Sequence, residues 1–165
     1  MRIIAIDPGY ERMGLAVLER INGKDSLLYS DCFTTPRGDS LPDRLVALGS
    51  ELKRIIKEYH PSLLATETLF FTKNQKTAMH VAEARGAILY LAREAGLSVH
   101  EFTPLAVKIA VTGYGRSDKG QVTAMTKRLI TISKEIKYDD EYDAIAIGIT
   151  CLASLVHAKH LARTS

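Results

Sequence analysis

Apolar residues change their spacing along the chain in a pattern that predicts three strands, a helix, a strand, a helix, a strand and then helices. Ile3-Ile4-Ala5-Ile6 is a continuous apolar run that stops at Asp7-Pro8-Gly9, which predicts a core strand over residues 2–7 giving way to a turn. Residues 14–20 and 26–34 read as the next two strands, and Asn22-Gly23 between them supplies a hairpin turn because both residues tolerate positive φ. After a loop at 36–40, Leu45, Leu48, Leu52, Ile55, Ile56 and Tyr59 recur at helical spacing, with Pro42 and Asp43 in the first turn and Pro61 beyond the end. Residues 63–67 are short, apolar and bounded by loops, as a central strand covered on both faces should be.

A second helix is predicted over 74–94, stopping at Gly96, with Ala78, Val81, Ala82, Ile88, Leu89 and Ala92 on its apolar face. Gly86 inside it costs about 1 kcal/mol relative to alanine. Such small residues allow close packing, either on the sheet or against a second copy of the chain. Residues 98–102 give a fifth strand, Pro104 opens a helix, and further helices are predicted over 122–132 and 140–160. No repeat, low-complexity tract or linker interrupts this order. It predicts one α/β domain over 1–165, a five-stranded mixed sheet with helices on both faces.

At 46% hydrophobic and 25% charged, the 165 residues can bury a real core, which excludes disordered and fibrous classes. The longest mainly apolar stretch, 144–156, is too short to cross a bilayer and is interrupted by Gly148, Thr150 and Ser154, so it reads as a core helix and no membrane is expected. Only four apolar residues precede Asp7, so no secretory segment is expected and the chain is assigned to the cytoplasm. Cys32 and Cys151 lie far apart in apolar settings and read as buried thiols rather than a disulfide or a catalytic pair. Net charge is only +3, yet between Lys108 and Lys137 seven basic residues (Lys108, Arg116, Lys119, Lys127, Arg128, Lys134, Lys137) stand against two acids, Asp118 and Glu135. That segment suits a bound polyanion, or is simply a solvated helix face.

The pattern also places four carboxylates at the ends of elements. Asp7 and Glu67 close buried strands, and Asp140 and Asp143 lie three apart at the entry to the last helix, on one face of its first turn. Each has an ordinary reading: Asp7 as a turn residue before Pro-Gly, Asp140 as an N-cap, Asp143 as a charge favoured by the helix end. Glu67 is less easily explained, since a glutamate ending an apolar strand has no capping task. Jointly they fit a metal-dependent phosphodiester hydrolase, in which carboxylates hold two cations roughly 3.5–4 Å apart. Oxygen donors without a Cys/His cluster select Mg²⁺, with Mn²⁺ as a substitute, over zinc.

At these residues the sequence resembles the bacterial RuvC Holliday junction resolvases, within the ribonuclease H-like nucleases. The resemblance runs to about His157 and rests on Ile6-Asp7-Pro8-Gly9 with Gly14, Glu67 with Phe70 and Lys73-Asn74, and Ala84-Arg85-Gly86. It continues through Lys108 before Gly113-Tyr114-Gly115, Lys119 with Gln121-Val122, and Asp140-x-x-Asp143-Ala144. It implies a ribonuclease H-like fold and a homodimer that binds four-way DNA junctions, working with a branch-migration helicase complex. It also implies symmetric nicking of two strands of like polarity to leave ligatable 5′-phosphate and 3′-hydroxyl ends.

By the same resemblance Asp7, Glu67, Asp140 and Asp143 are the catalytic metal ligands, and Lys108 and Lys119 lie beside the scissile phosphate or the adjoining backbone. Phe70 would insert at the crossover and stack on an unpaired base, an interaction worth roughly 1–3 kcal/mol, although Phe70-Phe71 in isolation would more often be core. Lys73, Asn74, Arg85, Arg116 and Lys119 would contact DNA, and the loop 112–120, with three glycines, suits backbone approach to phosphates. The chain differs from the family in carrying Glu141 and Tyr142 between the last two acids, in an extra acid at Asp139, and in lacking proline over 130–138. The three-residue spacing to Asp143 favours Asp140 over Asp139 as ligand.

Three rivals remain open at this point. A phosphotransferase of the actin-like ATPase and sugar-kinase group also uses Asp-x-Gly after a first strand, but needs two such domains. A noncatalytic junction-binding protein would keep the basic segment and have no use for four acids. A ribonuclease acting on RNA–DNA hybrids shares the acids but gives no reason for Phe70 and Lys119.

Overall fold

The computed structural model describes residues 1–69 and 75–164. Five strands, β1 (Arg2–Asp7), β2 (Arg12–Ile21), β3 (Lys24–Thr34), β4 (Leu63–Glu67) and β5 (Ser98–Phe102), make one sheet in the order β3-β2-β1-β4-β5. The first three form an antiparallel meander, while β4 and β5 join parallel to β1 and to each other. Parallel neighbours need crossovers, supplied by α1 (Leu41–Tyr59) and α2 (Gln75–Glu94). Then α3 (Pro104–Thr112), α4 (Lys119–Leu129) and α5 (Asp139–Thr164) complete the chain. The mixed five-stranded sheet is the one predicted.

Side chains alternate across the sheet and build two separate cores. Ile3, Ala5, Ala16, Leu18, Leu63 and Ala65 pack beneath α3, α4 and α5, whereas Ile4, Ile6, Leu15, Val17 and Leu64 pack beneath α1 and α2. Helices therefore cover both faces. The four apolar residues of β1 are fully buried, and at roughly 1.5–3 kcal/mol for each large side chain this strand is firmly anchored. Cys32 and Cys151 are free and buried, as expected. No described helix is long and apolar enough to cross a membrane.

Several boundaries differ from the predicted ones for local reasons. β2 and β3 run up to the two-residue turn, with Asn22 at φ 52° and Gly23 at φ 80°, because the hairpin enforces pairing of Ile21 with Lys24 despite their polar surroundings. α4 starts at Lys119 rather than 122. Asp118 accepts a hydrogen bond from Gln121 N at 2.8 Å while donating its own N–H to Gln121 Oε1 at 2.9 Å, a capping box that begins the helix early. Lys119 and Gly120 are therefore helical, and the glycine-rich loop is shorter than the predicted 112–120. On α2 the fully buried side chains are Ala84, Ile88 and Ala92, while Ala78, Val81 and Ala82 are only half-buried and Gly86 is exposed.

α5 lies unusually close to the sheet. A Cβ at Gly14, the residue paired with Asp7 across β1 and β2, would overlap the backbone carbonyl oxygen of Asp140 and stand 3.3 Å from Ala144 Cβ. A Cβ at Gly148 would meet the Leu18 side chain and stand 3.3 Å from Ala5 Cβ. These two positions let the first turn of α5 settle over the end of β1. Gly14→Ala should therefore destabilise the protein by about 1–3 kcal/mol, since the obstructing atoms are backbone and cannot yield. Gly86→Ala, with nothing within 4 Å of the new methyl, should be neutral or stabilising by up to about 1 kcal/mol. Urea unfolding compares the two, and equal costs would contradict the close-approach argument.

Candidate active site

Because β1 and β4 are parallel neighbours in the middle of the sheet, their C-termini open at the same end of it, and Asp7 and Glu67 sit there. The first turns of α5 and α4 and the body of α3 close over that end. The result is a pocket of about 260 Å³ lined by Asp7, Glu67, Lys108, Lys119 and Asp143, with Pro104, Val107, Val122 and Ala146 as its apolar wall. Three of the four predicted carboxylates thus share one cavity with both predicted lysines. Asp140 does not line it.

The electrostatics follow from crowding and burial. Asp7 is pushed up to about 7, first by burial and then by the charges of Asp143, Glu67 and Asp140, with Lys119 opposing. Glu67 is likewise pushed up to about 7 by burial and by Asp143, against Lys108 and Lys119. Burial is also the main cause raising Asp143 and Asp140. Lys119 Nζ lies 2.6 Å from Asp139 Oδ2 and 2.9 Å from Asp143 Oδ2. Burial pulls the Lys119 ammonium down, but these hydrogen bonds outweigh it and hold the group above its ordinary range, while Asp139 is held below the usual carboxylate range by the same contact.

The donors fit hard divalent cations. They are all oxygens, they carry charge that burial makes unfavourable, and Asp140 Oδ2 is buried without a hydrogen-bond partner. Among the described residues, no three Asp, Glu, His or Cys side chains form a group ready to hold a metal ion as they stand; an ammonium, that of Lys119, takes the contacts at Asp143. Asp139, half-exposed and paired with Lys119, lies beside the pocket rather than in it.

Other predicted residues are distributed differently. Phe70, Lys73 and Asn74 lie outside the described residues. Arg116 is exposed on the loop between α3 and α4, as a DNA contact would require. Arg85 is drawn inward: its Nε donates to the Glu67 carbonyl oxygen at 3.2 Å and its guanidinium pairs with Glu101, so it braces the end of β4. Two cation contacts were not anticipated. Arg12 Nε stands 3.2 Å from Asp140 Oδ2, and Lys134 Nζ stands 2.8 Å from the buried Glu141 Oε1. Four acids within 139–143 signal a need for counter-charges, but nothing in the sequence says which basic residues supply them.

Comparison with known proteins bears on the family and the fold. The family described as RuvC, crossover junction endodeoxyribonuclease, matches residues 3–151. The crossover junction endodeoxyribonuclease RuvC of Thermosipho melanesiensis is 46% identical over 153 residues, 93% of this chain and 97% of that protein. That of Desulfitobacterium hafniense (strain DCB-2) is 42% identical over 149 residues, 90% of each. Among solved structures, Thermus thermophilus RuvC in complex with Holliday junction substrate superposes with a TM-score of 0.84 at 28% identity, covering 91% of this chain and 92% of that one. The yeast mitochondrial Holliday junction resolvase Ydc2, at 10% identity and a TM-score of 0.72 over 98% of this chain and 83% of that one, shares the fold.

The raised carboxylate at Asp7 has a measurable consequence. Folding favours its protonated form, so its contribution to stability is complete below the ordinary value of 3.8 and is lost as pH rises through about 7. Metal-free Asp7→Asn should therefore be more stable than the parent at pH 8, by on the order of 2 kcal/mol, with the difference shrinking towards pH 4. Urea unfolding in chelator checks this. An asparagine variant less stable at pH 8 would show that Asp7 is already compensated.

Proposed function

The chain belongs to the RuvC family of crossover junction endodeoxyribonucleases, and from that premise we propose that it resolves four-way (Holliday) DNA junctions. It would nick two strands of like polarity symmetrically and leave ligatable 5′-phosphate and 3′-hydroxyl ends, in homologous recombination and DNA repair. The observation that carries this reading is the single pocket in which Asp7, Glu67 and Asp143 face Lys108 and Lys119. The Thermus thermophilus relative in complex with Holliday junction substrate supports the choice of DNA.

Asp7, Glu67, Asp140 and Asp143 would hold the cations, Mg²⁺ or Mn²⁺. Two such ions, when bound, supply an activated water and charge stabilisation at the leaving oxygen. Lys108 from α3 and Lys119 from α4 neutralise the scissile phosphate, for which Lys119 must leave Asp143. Arg116, exposed on its loop, takes a backbone phosphate, as do Lys73 and Asn74, and Phe70 stacks on an unpaired base at the crossover. The apolar wall of Val107, Val122 and Ala146 limits water access and strengthens each of these charge interactions.

Paired nicks on strands of like polarity need two active sites related by a twofold axis, hence a homodimer. The outer side of α2, where Met79 and Tyr90 are each 64% exposed and Gly86 has open space, is where a second copy fits. A branch-migration helicase complex is the further partner, and the cytoplasm the compartment.

Incubation of a synthetic four-way junction with the protein and Mg²⁺ should give paired nicks, which Asp7→Asn reduces by roughly two orders of magnitude or more, as loss of several kcal/mol of charge stabilisation requires. A junction bound but never nicked in any metal would return the chain to a noncatalytic binder. Nucleotide hydrolysis without DNA would favour the phosphotransferase, and cleavage confined to the RNA of a hybrid would favour a ribonuclease.

A further inference from the structure

The start of α5 carries Asp139, Asp140 and Glu141 in its first turn and Asp143 just after it, and each is met by a cation from another segment. Lys119 serves Asp139 and Asp143, and Lys134 serves Glu141. Asp140 is served by Arg12, at the start of β2, whose Nε is 3.2 Å from Asp140 Oδ2 and whose Nη2 is 4.0 Å from Asp139 Oδ1. The guanidinium is seated on an aromatic ring, with Cζ 5.4 Å from the centroid of Tyr138.

With this pair in place, Asp140 lies outside the pocket wall that Asp7, Glu67 and Asp143 share, and its buried Oδ2 makes no hydrogen bond, only the ion pair. The charge of Asp140 reaches Asp7 and also the β3 side, where Cys32, paired with Gly14, has its thiol pushed up to about 12, by burial first and by Asp140 next.

We infer that Arg12 is a latch on Asp140, holding the fourth carboxylate on the β3 side of the α5 first turn, so that the cation position made by Asp7, Glu67 and Asp143 fills first and the second is completed only when Asp140 leaves Arg12. The inference rests on the two-cation reading above and goes beyond it by ordering the two sites. A guanidinium stays charged throughout the working pH range, so Arg12 itself does not let go, and a competing cation at Asp140 is what opens the latch. Arg12 acts through Asp140 and is a positioning residue.

The test is a titration of the metal-free full chain with Mn²⁺ in the absence of DNA, reading the free ion by electron paramagnetic resonance. The parent should bind two ions of unequal affinity. Arg12→Gln should tighten the weaker site by roughly three- to thirtyfold, the scale of one nearby charge in a partly screened setting, and leave the stronger site nearly unchanged. Arg12→Met, which retains the stem over Tyr138, should match it. In an Asp140→Asn background, adding Arg12→Gln should change nothing, as a double-mutant cycle requires of a pairwise contact. Equal tightening of both sites, or a gain that persists without the Asp140 carboxylate, would reduce Arg12 to a general field and overturn the latch. A weaker second site in Arg12→Gln would overturn it in the opposite sense, with Arg12 orienting Asp140 for binding. Two sites with no response to Arg12 would overturn the latch alone, whereas a parent that binds no Mn²⁺ would overturn the two-cation reading together with it.

Discussion

Repulsion among carboxylates gathered at one end of the sheet is the constraint to which the rest of the molecule answers. Asp7 and Glu67 end neighbouring parallel strands, and the acidic first turn of α5 is brought down beside them. In a partly buried setting, like charges this close raise one another's pKa and oppose folding. The chain keeps them there with tethered cations: Lys119 from α4, Lys108 from α3, Arg12 from β2 and Lys134 from the segment before α5. The helix itself helps, since the positive end of the α5 dipole lies under these acids.

The architecture supplies the stability that such a site consumes. β1 is buried on both faces between two independent cores, so the position of Asp7 is over-determined by packing on either side. Gly14 and Gly148 then decide how near α5 can come, and therefore how near Asp143 comes to Asp7. On the other wall, the reciprocal Asp118–Gln121 bonds decide where α4 begins, and so bring Lys119 to its first turn facing Asp139 and Asp143. A lysine is ordinarily disfavoured at that end of a helix; the acids of α5 compensate.

How much of this could be read from the sequence depended on whether the cause was local. Asp7 and Glu67 were legible because a charged residue closing an apolar run marks a strand end, and Asn22-Gly23 because it specifies a turn by itself. The start of α4 was misplaced although Asp118-x-x-Gln121 was there to be read, because the apolar residues begin only at Val122. Arg85 was expected to contact DNA, and the structure adds its bond to the Glu67 carbonyl oxygen, eighteen residues distant, which no spacing encodes. The partners of Arg12, and of Lys134, which was read only as one of a basic segment, were hidden for the same reason: Lys134 also donates to the carbonyl oxygen of Ser30, 104 residues away. Gly14 was noticed as a motif letter, while its reason, the approach of the Asp140 backbone, is a tertiary fact.

The counter-charges differ in a way that bears on how the site works. Lys134 is committed to a buried glutamate and to a backbone carbonyl, and so belongs to the fold. All three cations have about half of their side chains exposed, but Lys119 and Arg12 bind carboxylates that are more open than Glu141 and that the proposed chemistry needs for itself. Ion pairs so exposed contribute little to stability, typically no more than about 1 kcal/mol, and are correspondingly easy to exchange. A site closed by strong buried pairs would be stable and inert. One held by weak, tethered pairs keeps like charges together in the resting protein and yields them to any stronger cation or phosphate that enters, which is the property a hydrolytic pocket of this kind requires.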